Sequence, residues 1–299
     1  MTIAGPRPSP LRRALTLHLP MAAIVLFAIG PYLWMLLTSL RVESTLFSPQ
    51  RTMLPDTLTA ANYLRLFTKT TFTVNLLHSL IVALGTVALG LALSITAAYA
   101  FSRYRFAGRR ALMLTFLLVN MFPIILLIIP LFVTMRVLGL LDTHLALVLA
   151  HSTFSIPFAT WMMTSYFDAI PRSLDEAALV DGCTPLGAMF KVVLPLAMPG
   201  VIATGIYIFI TSWNEYLYAS ILAGQQVRTL TVAVQTLIGE YEIAWGLLTA
   251  GGVVGALPVT VLFLLIQKRL IAGMTQGAVK EVSNEHRHHF DATPAPFHR

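Results

Sequence analysis

Six long stretches of this sequence carry no charged side chain. They cover residues 14–40, 70–102, 111–135, 143–167, 192–214 and 243–267, and each holds 23 residues or more. An α-helix needs about 20 apolar residues to cross a hydrocarbon core of roughly 30 Å, and it satisfies its own backbone hydrogen bonds where water is absent. The stretches therefore predict an all-α membrane protein with six transmembrane helices, near residues 15–40, 74–101, 111–134, 144–166, 198–222 and 245–267.

The composition supports the same interpretation. Only 11% of the 299 residues are charged, whereas a soluble domain carries about a quarter. The short alternating strands of a membrane barrel do not occur in the sequence. The first stretch shows no small-x-small cleavage pattern before Arg41, so we expect it to be retained as a span and not removed as a signal peptide.

The distribution of basic residues predicts the orientation of the chain. With the N-terminus in the cytoplasm, 14 of the 20 Lys and Arg residues fall on the cytoplasmic side, many of them in the short loop 102–110. The positive-inside rule favours this arrangement, which places both termini in the cytoplasm. This arrangement of basic residues also accounts for the formal charge of +7, so no nucleic-acid partner is expected. The expected environment of the chain is a lipid bilayer.

The segment 170–200 differs from the rest, because it is too polar to span a membrane and yet has ordered helix signals. Ser173 and Glu176 have the spacing of a capping box, which predicts a short helix that ends near Asp181. Gly182 then suits the left-handed conformation that often ends a helix.

A second short helix is predicted directly after this turn. Thr184 followed by Pro185 is a typical helix start, and Pro195 is expected to end the helix after Val193. The pair would form a cytoplasmic helix–turn–helix. Its expected apolar surface comprises Leu174, Ala177, Ala178, Leu186, Met189 and Phe190, and its expected acidic edge comprises Asp175, Glu176 and Asp181.

An ordered pattern within this segment resembles the EAA loop of bacterial ABC-importer permeases. The pattern reads E-A-A, then D-G, then L-P and P-G, and its residues are Glu176, Ala177, Ala178, Asp181, Gly182, Leu194, Pro195, Pro199 and Gly200. In that family the loop seats in a groove of the cytoplasmic ATPase. The resemblance therefore implies that Glu176, Ala177, Ala178, Asp181 and Gly182 couple this chain to a separate ATP-binding subunit.

Two further segments resemble carbohydrate permeases of the maltose type. They are the run from Ser212 to Ala219 and the run from Leu257 to Lys280, and together with the loop they extend the resemblance over about residues 72–280. The shorter, MalG-like permease fits best. The resemblance implies a type I ABC importer fold, a sugar as substrate, a bacterial inner-membrane location, a second permease chain, two ATP-binding subunits and an extracytoplasmic solute-binding protein.

These features divide the chain into four regions. We expect a cytoplasmic tail at 1–13, a first span with an outer segment at 14–71, a permease domain at 72–267 that contains the EAA loop at 168–200, and a cytoplasmic tail at 268–299.

The sequence offers no catalytic site. A phosphate-binding P-loop needs a Gly-Lys pair, and the sequence contains none. ATP and Mg are therefore expected on the partner ATPase, and this chain is expected to be a non-catalytic transport subunit with no cofactor. Its single cysteine, Cys183, excludes an internal disulfide, and no Cys/His set has the spacing of a zinc site.

Glu215 is the one acidic residue inside a predicted span. Charge within a membrane is costly and often functional. Its position, about 26 Å from the start of the span at ~1.5 Å per residue, puts it near the outer interface beside Trp213, Tyr216 and Tyr218, which are typical of an aromatic belt. Two roles remain open: a structural or gating role, or lining of the translocation path together with Asn214.

Other classes of transporter fit less well. A secondary transporter would place charged residues or broken helices at mid-membrane for ion coupling, and the spans lack such charges. An importer for another solute, such as a glycerol phosphate or a polyol, is the remaining alternative, because the residues of this chain do not identify the solute.

Overall fold

The computed structural model describes residues 14–46, 57–239 and 243–290, with side chains up to Gln267. The predicted N-terminal tail at 1–13 lies outside these residues, as do 47–56 of the outer segment and 291–299 of the C-terminal tail. Within the described residues the structure is helical, with one isolated β-bridge between Ile238 and Ile243.

Twelve helices carry the described fold. In chain order they are α1 Leu19–Ser39, α2 Ala61–Lys69, α3 Phe72–Arg103, α4 Arg109–Met121, α5 Ile128–Val137, α6 His144–Asp168, α7 Ser173–Val180, α8 Pro185–Leu196, α9 Met198–Trp213, α10 Leu217–Leu222, α11 Leu230–Gln235 and α12 Trp245–Phe290.

Four of these helices are long and apolar enough to cross a membrane as straight spans. They cover Leu15–Ser39, which is α1 with the π-helical turn before it, Phe72–Arg103, His144–Asp168 and Trp245–Gln267. Two bent helix pairs raise the number to as many as six. The all-α fold predicted from the uncharged stretches is therefore confirmed, although two of the six predicted spans are not single straight helices.

The third predicted span, 111–134, is broken in its middle. Helices α4 and α5 meet at 100° around Phe122 and Pro123. Phe122 is extended, with φ −75° and ψ 133°, because the ring of a following proline disfavours the helical conformation of the residue before it. The lack of charge in this stretch did not reveal the break, but the proline is its physical cause.

The fifth predicted span, 198–222, is also interrupted. Helix α9 ends at Trp213 and α10 begins at Leu217. At its other end α9 bends by 83° from α8, so the straight part of this span has only 16 residues. The sixth predicted span lies in α12, which continues past the predicted boundary at 267 as far as Phe290.

The described chain divides into two compact units, and each has its own packing. One unit holds the residues before 75 together with 233–257, and the other holds 75–232 together with the residues after 257. In the first unit Asn62 is buried, and its Nδ2 donates to the carbonyls of Ser39 at 2.9 Å and Arg41 at 2.8 Å. This amide fixes the end of α1 against α2.

In the second unit, helix α3 packs closely against α6 and against α9. A Cβ placed on Gly85 would lie 2.9 Å from Val148, and one placed on Gly90 would lie 2.9 Å from Ile208. Small residues let membrane helices approach closely and gain van der Waals contact. The core of this unit has two clusters of buried side chains, one around Leu147, Tyr218 and Leu222 and one around Met163, Phe167, Met189 and Val193.

Asp142 fastens two loops of the second unit. It has a left-handed backbone, φ 59°, which Asp tolerates better than most residues. Its carboxylate accepts from the backbone N–H groups of Gly224 at 2.8 Å, Gln226 at 3.0 Å and Val227 at 2.8 Å. Partial burial alone would raise the pKa of Asp142, but the backbone donors outweigh it and hold the pKa below its ordinary value.

We predict that Asp142→Asn lowers the melting temperature of the purified protein at neutral pH by a few degrees. The amide replaces one acceptor oxygen with a donor, and a lost hydrogen bond to a charged group costs about 1.5–3 kcal/mol. Because the pKa of the folded carboxylate is depressed, its stabilisation is present above the ordinary value of 3.8 and is lost as the pH falls through the folded pKa. Thermal unfolding measured across pH should show the melting temperatures of the unsubstituted protein and Asp142→Asn converging in acid. Equal melting temperatures at neutral pH would contradict the role of Asp142.

Candidate functional site

The polar segment between the fourth and fifth spans forms two short helices, as its sequence predicts. Helix α7 begins at Ser173, but its N-cap is Arg172, which already has helical angles, and no side chain caps this end. The backbone N–H of Glu176 donates to the Arg172 carbonyl at 3.1 Å, so it is not available to the Ser173 hydroxyl. The predicted capping box is therefore wrong, although the helix itself is present.

The turn after α7 has the geometry predicted for Gly182. This glycine has φ +87°. The N–H of Cys183 donates to the Ala178 carbonyl at 2.9 Å, and the N–H of Gly182 donates to the Leu179 carbonyl at 3.1 Å. These two bonds define a Schellman motif, which fixes the direction in which the chain leaves the helix.

Helix α8 starts as predicted but ends later than predicted. The Thr184 hydroxyl accepts from the N–H of Gly187 at 3.1 Å, and Pro185 occupies the first turn. The helix then widens into a π-turn at Met189–Val193 and continues through Pro195 to Leu196. The expected end at Val193 is wrong, because the wider turn accommodates a proline whose missing N–H would interrupt a regular helix.

The hairpin of α7 and α8 presents a mixed surface. Val180 is 88% exposed, Leu186 63% and Phe190 55%, whereas Ala178 and Met189 of the expected apolar surface are buried. Glu176, Ala177, Asp181 and Gly182 of the predicted coupling set are exposed, and Ala178 is not. Large apolar side chains left exposed beside carboxylates are typical of a surface that contacts another protein.

Asp175 corrects the predicted acidic edge. Its side chain points inward and is only 11% exposed, so the exposed edge retains Glu176 and Asp181 alone. The Asp175 carboxylate accepts from the Tyr99 hydroxyl at 2.7 Å and forms an ion pair with Arg103 Nε at 2.9 Å. Tyr99 and Arg103 were missed by the sequence analysis, although their spacing of four puts them on one face of a helix.

Glu215 lies at the break between α9 and α10. Its carboxylate accepts from the backbone N–H groups of Tyr218 at 2.9 Å and Ala219 at 3.1 Å, which are donors that the start of α10 leaves unpaired. Its Oε2 also lies 3.2 Å from His151 Nε2 of α6. The carboxylate therefore caps the start of α10 after the break in the fifth span, and it connects this span to α6, the fourth span.

A chain of buried polar side chains extends from Glu215 within the second unit. His151 Nδ1 lies 2.7 Å from the Ser212 hydroxyl, which donates to Thr86 Oγ1 of α3 at 3.4 Å. His151, missed by the sequence analysis as a partner of Glu215, thus links three helices. Asn214 takes no part in this group: its side chain is exposed and donates to the Ile210 carbonyl of its own helix at 3.0 Å. The structure therefore does not join Asn214 and Glu215 in one site.

The aromatic belt expected around Glu215 is wrong for two of its three members. Trp213 is 4% exposed and stacks on Phe209 at 5.6 Å between ring centroids, and Tyr218 is 2% exposed. Tyr216 is 39% exposed. The rings of Trp213 and Tyr218 pack inside the protein, with Tyr218 stacked on Phe154 of α6 at 5.9 Å between ring centroids. Among the described residues, no three His, Cys, Asp or Glu side chains are grouped as a metal site.

Comparison with solved structures supports the fold. The crystal structure of a bacterial ABC transporter involved in the import of the acidic polysaccharide alginate contains a chain that matches with a TM-score of 0.75 and 24% identity, over 88% of this chain and 99% of that one. At this identity the likeness shows the fold alone.

Comparison with known sequences shows the family. A family model described as binding-protein-dependent transport system inner membrane component matches residues 90–276. The sulfoquinovosyl glycerol transport system permease SmoH of Agrobacterium fabrum is 40% identical, over 87% of this chain and 92% of its own length. The trehalose transport system permease SugB of Mycobacterium tuberculosis is 38% identical, over 86% and 94%. This chain therefore belongs to the inner-membrane components of binding-protein-dependent transport systems, the permeases of ABC importers.

Proposed function

We propose that this chain is the permease subunit of an importer that translocates a sugar. The relatives that support this carry glycosidic solutes in their names: sulfoquinovosyl glycerol, trehalose, and trehalose/maltose for a Thermococcus litoralis permease that is 33% identical over 87% of this chain. These solutes share a glycosyl unit, and a glycoside is therefore the first class of solute to test.

The hairpin of α7 and α8 is proposed to be the contact with the ATPase. Three observations support this: its exposed apolar side chains, the exposed carboxylates of Glu176 and Asp181, and the fixed turn at Gly182. Glu176 has no capping role in its own helix, so its charge is free to meet a basic residue of the partner. Ala177 keeps the exposed helix face narrow enough for a groove, whereas Ala178 is buried and lets α7 pack closely on its own fold.

The remaining subunits follow from this assignment. ATP and Mg bind to two separate ATP-binding subunits, because this sequence lacks the Gly-Lys pair of a P-loop. A second permease completes the translocation path, and an extracytoplasmic binding protein delivers the solute; a solved alginate ABC transporter includes such a periplasmic protein. Both termini and the hairpin lie in the cytoplasm of a bacterium, as the distribution of basic residues favours.

Glu215 and Asn214 are proposed to act on the translocation path in different ways. Glu215 is held by two backbone donors and by His151, so it shapes the path by fixing the break in the fifth span. Asn214 is exposed next to this break, and its amide has a donor and an acceptor of the kind that bind sugar hydroxyls.

We predict that Gly182→Val abolishes sugar uptake while the protein still inserts in the membrane. A Cβ at this position would meet no atom within 4 Å, so the cost comes from the backbone: a side chain at φ +87° is strained by about 1–2 kcal/mol. Gly182→Asn is the matched control, because Asn tolerates this conformation, and it should retain uptake. Equal uptake by the Val and Asn variants in membrane vesicles would contradict the role of the turn.

We predict that Glu176→Lys weakens retention of the ATPase during purification of the complex. The substitution reverses a charge at the proposed interface, and like charges brought together across an interface disfavour binding. Glu176→Gln should show a smaller loss, because it removes the charge without adding a repulsive one. Co-purification of the ATPase with tagged permease measures both. Full retention with Glu176→Lys, together with unchanged ATP-dependent uptake, would place the ATPase contact elsewhere.

We predict that Glu215→Gln and Asn214→Ala separate a structural role from a path role. Glu215→Gln should lower the melting temperature, because an unsatisfied buried N–H costs about 1–3 kcal/mol, and should reduce uptake in proportion. Asn214→Ala should leave the melting temperature unchanged and raise the sugar concentration needed for half-maximal uptake. An unchanged melting temperature with Glu215→Gln would contradict its proposed role in the break.

The class of solute is tested separately with the unsubstituted importer. Uptake of a polyol or a glycerol phosphate in place of a sugar would reassign the solute.

A further inference from the structure

The proposed coupling hairpin is fastened to the membrane helices by one buried carboxylate. Asp175 lies beside Glu176 in α7, but Glu176 is exposed and the Asp175 side chain is only 11% exposed. We propose that the side chains of Asp175, Tyr99 and Arg103 form an anchor. The anchor transmits motion of the hairpin to α3 and α6. This inference rests on the proposed function of the hairpin.

Both oxygens of Asp175 are used by the anchor. Oδ1 accepts from the Tyr99 hydroxyl at 2.7 Å, and Oδ2 lies 2.9 Å from Arg103 Nε. Tyr99 and Arg103 belong to the last turns of α3. A buried carboxylate is stable only when its charge is paired and hydrogen-bonded. Here Tyr99 supplies the hydrogen bond, and the Arg103 guanidinium supplies the opposite charge without the alignment of a hydrogen bond at Nε.

Arg103 joins a third element to the anchor. Its Nη1 donates to the Phe167 carbonyl at 3.0 Å, and its Nη2 donates to the Ile170 carbonyl at 3.1 Å. These carbonyls belong to the end of α6 and the residues just after it, where regular helical bonding stops. The Phe167 carbonyl also accepts from the Ile170 N–H at 3.1 Å. One guanidinium therefore ties α3, the end of α6 and α7 together, and its side chain is only 8% exposed.

Two further bonds brace the same junction. The Ser102 hydroxyl donates to Asp168 Oδ1 at 2.6 Å, and Arg172 Nη2 donates to the Ser102 carbonyl at 2.6 Å. Beneath the polar group, the Tyr99 ring meets the Phe167 ring edge-on, with centroids 5.9 Å apart. The junction thus combines an apolar ring contact with polar hydrogen bonds, and both connect α3 to α6.

The mechanical need for the anchor follows from the size of α7. A helix of eight residues is too short to be stable without tertiary contacts. Only Asp175 and Ala178 of this helix are buried, and Ala178 offers a single methyl group. Asp175 therefore provides the main directional attachment of α7. Without it, a push on the exposed face would tilt α7 against the membrane helices and would not move them.

Tyr99→Phe tests the anchor with the smallest change. It removes the hydroxyl that bonds Asp175 and keeps the ring that packs on Phe167. The matched control is Tyr104→Phe, five residues later, whose side chain is half exposed. The permease, its partner permease and the ATPase are reconstituted in proteoliposomes with the solute-binding protein. The readout is the number of sugar molecules taken up per ATP hydrolysed.

We expect Tyr99→Phe to lower uptake per ATP by about threefold or more, since hydrogen bonds to charged groups are among the stronger ones. Asp175→Asn should lower it further, because the new amide would face Arg103 with a donor or leave the Tyr99 hydroxyl without a charged acceptor. Tyr104→Phe should leave the ratio unchanged. ATPase retention should be normal in all three, because the exposed face of the hairpin is untouched.

The double variant gives a second readout that general structural damage would not produce. If Tyr99 acts through Asp175, adding Tyr99→Phe to Asp175→Asn should lower the ratio little further, because the two residues share one interaction. Independent, additive losses would overturn the anchor, as would an unchanged uptake per ATP in Tyr99→Phe. If Asp175→Asn fails to accumulate, Tyr99→Phe against Tyr104→Phe decides alone. Loss of the proposed function itself would show separately, as full ATPase retention and uptake with Glu176→Lys.

Discussion

Hydrocarbon offers no partner for a peptide group, and this constraint governs the architecture of the chain. Most of the spans meet it with unbroken helices. Where a span breaks, side chains must supply the hydrogen-bond partners that the helix no longer gives to the backbone N–H and C=O groups. At the break after Trp213, Glu215 accepts from the N–H groups of Tyr218 and Ala219. The carboxylate that seemed costly inside a span therefore pairs the backbone groups that the break leaves free.

The same rule explains why charge is found at the junction of α3, α6 and α7. Arg103 satisfies the carbonyls of Phe167 and Ile170 at a helix end, and its own charge is balanced by Asp175. Replacing a buried ion pair by apolar residues is often neutral or stabilising, so stability alone does not account for this pair. The hydrogen bond from Tyr99 to Asp175 and the two bonds from Arg103 to backbone carbonyls are directional. They fix one position of α7, which is the property that a coupling element needs.

The two candidate regions differ in how their polar groups are directed. In the hairpin, Glu176 and Asp181 face outward while Asp175 faces inward, so contact with a partner and attachment to the fold are assigned to different carboxylates. At the break in the fifth span, Glu215 is engaged with His151 and the backbone, and Asn214 remains exposed. A residue that holds the structure and a residue that meets the solute are again separate.

The sequence by itself determined the helical class, the approximate spans and the turn at Gly182, because these depend on local composition and short-range conformational preferences. The family was indicated by the resemblance of the EAA pattern to known permeases. The sequence did not determine the bend at Pro123 within an uncharged stretch, nor the extension of α8 through Pro195. Only the tertiary structure showed that Asp175 faces inward, since its partners Tyr99 and Arg103 lie more than 70 residues away. Which face of a short helix is buried is decided by such distant neighbours, and a helix of eight residues carries too few positions to reveal it.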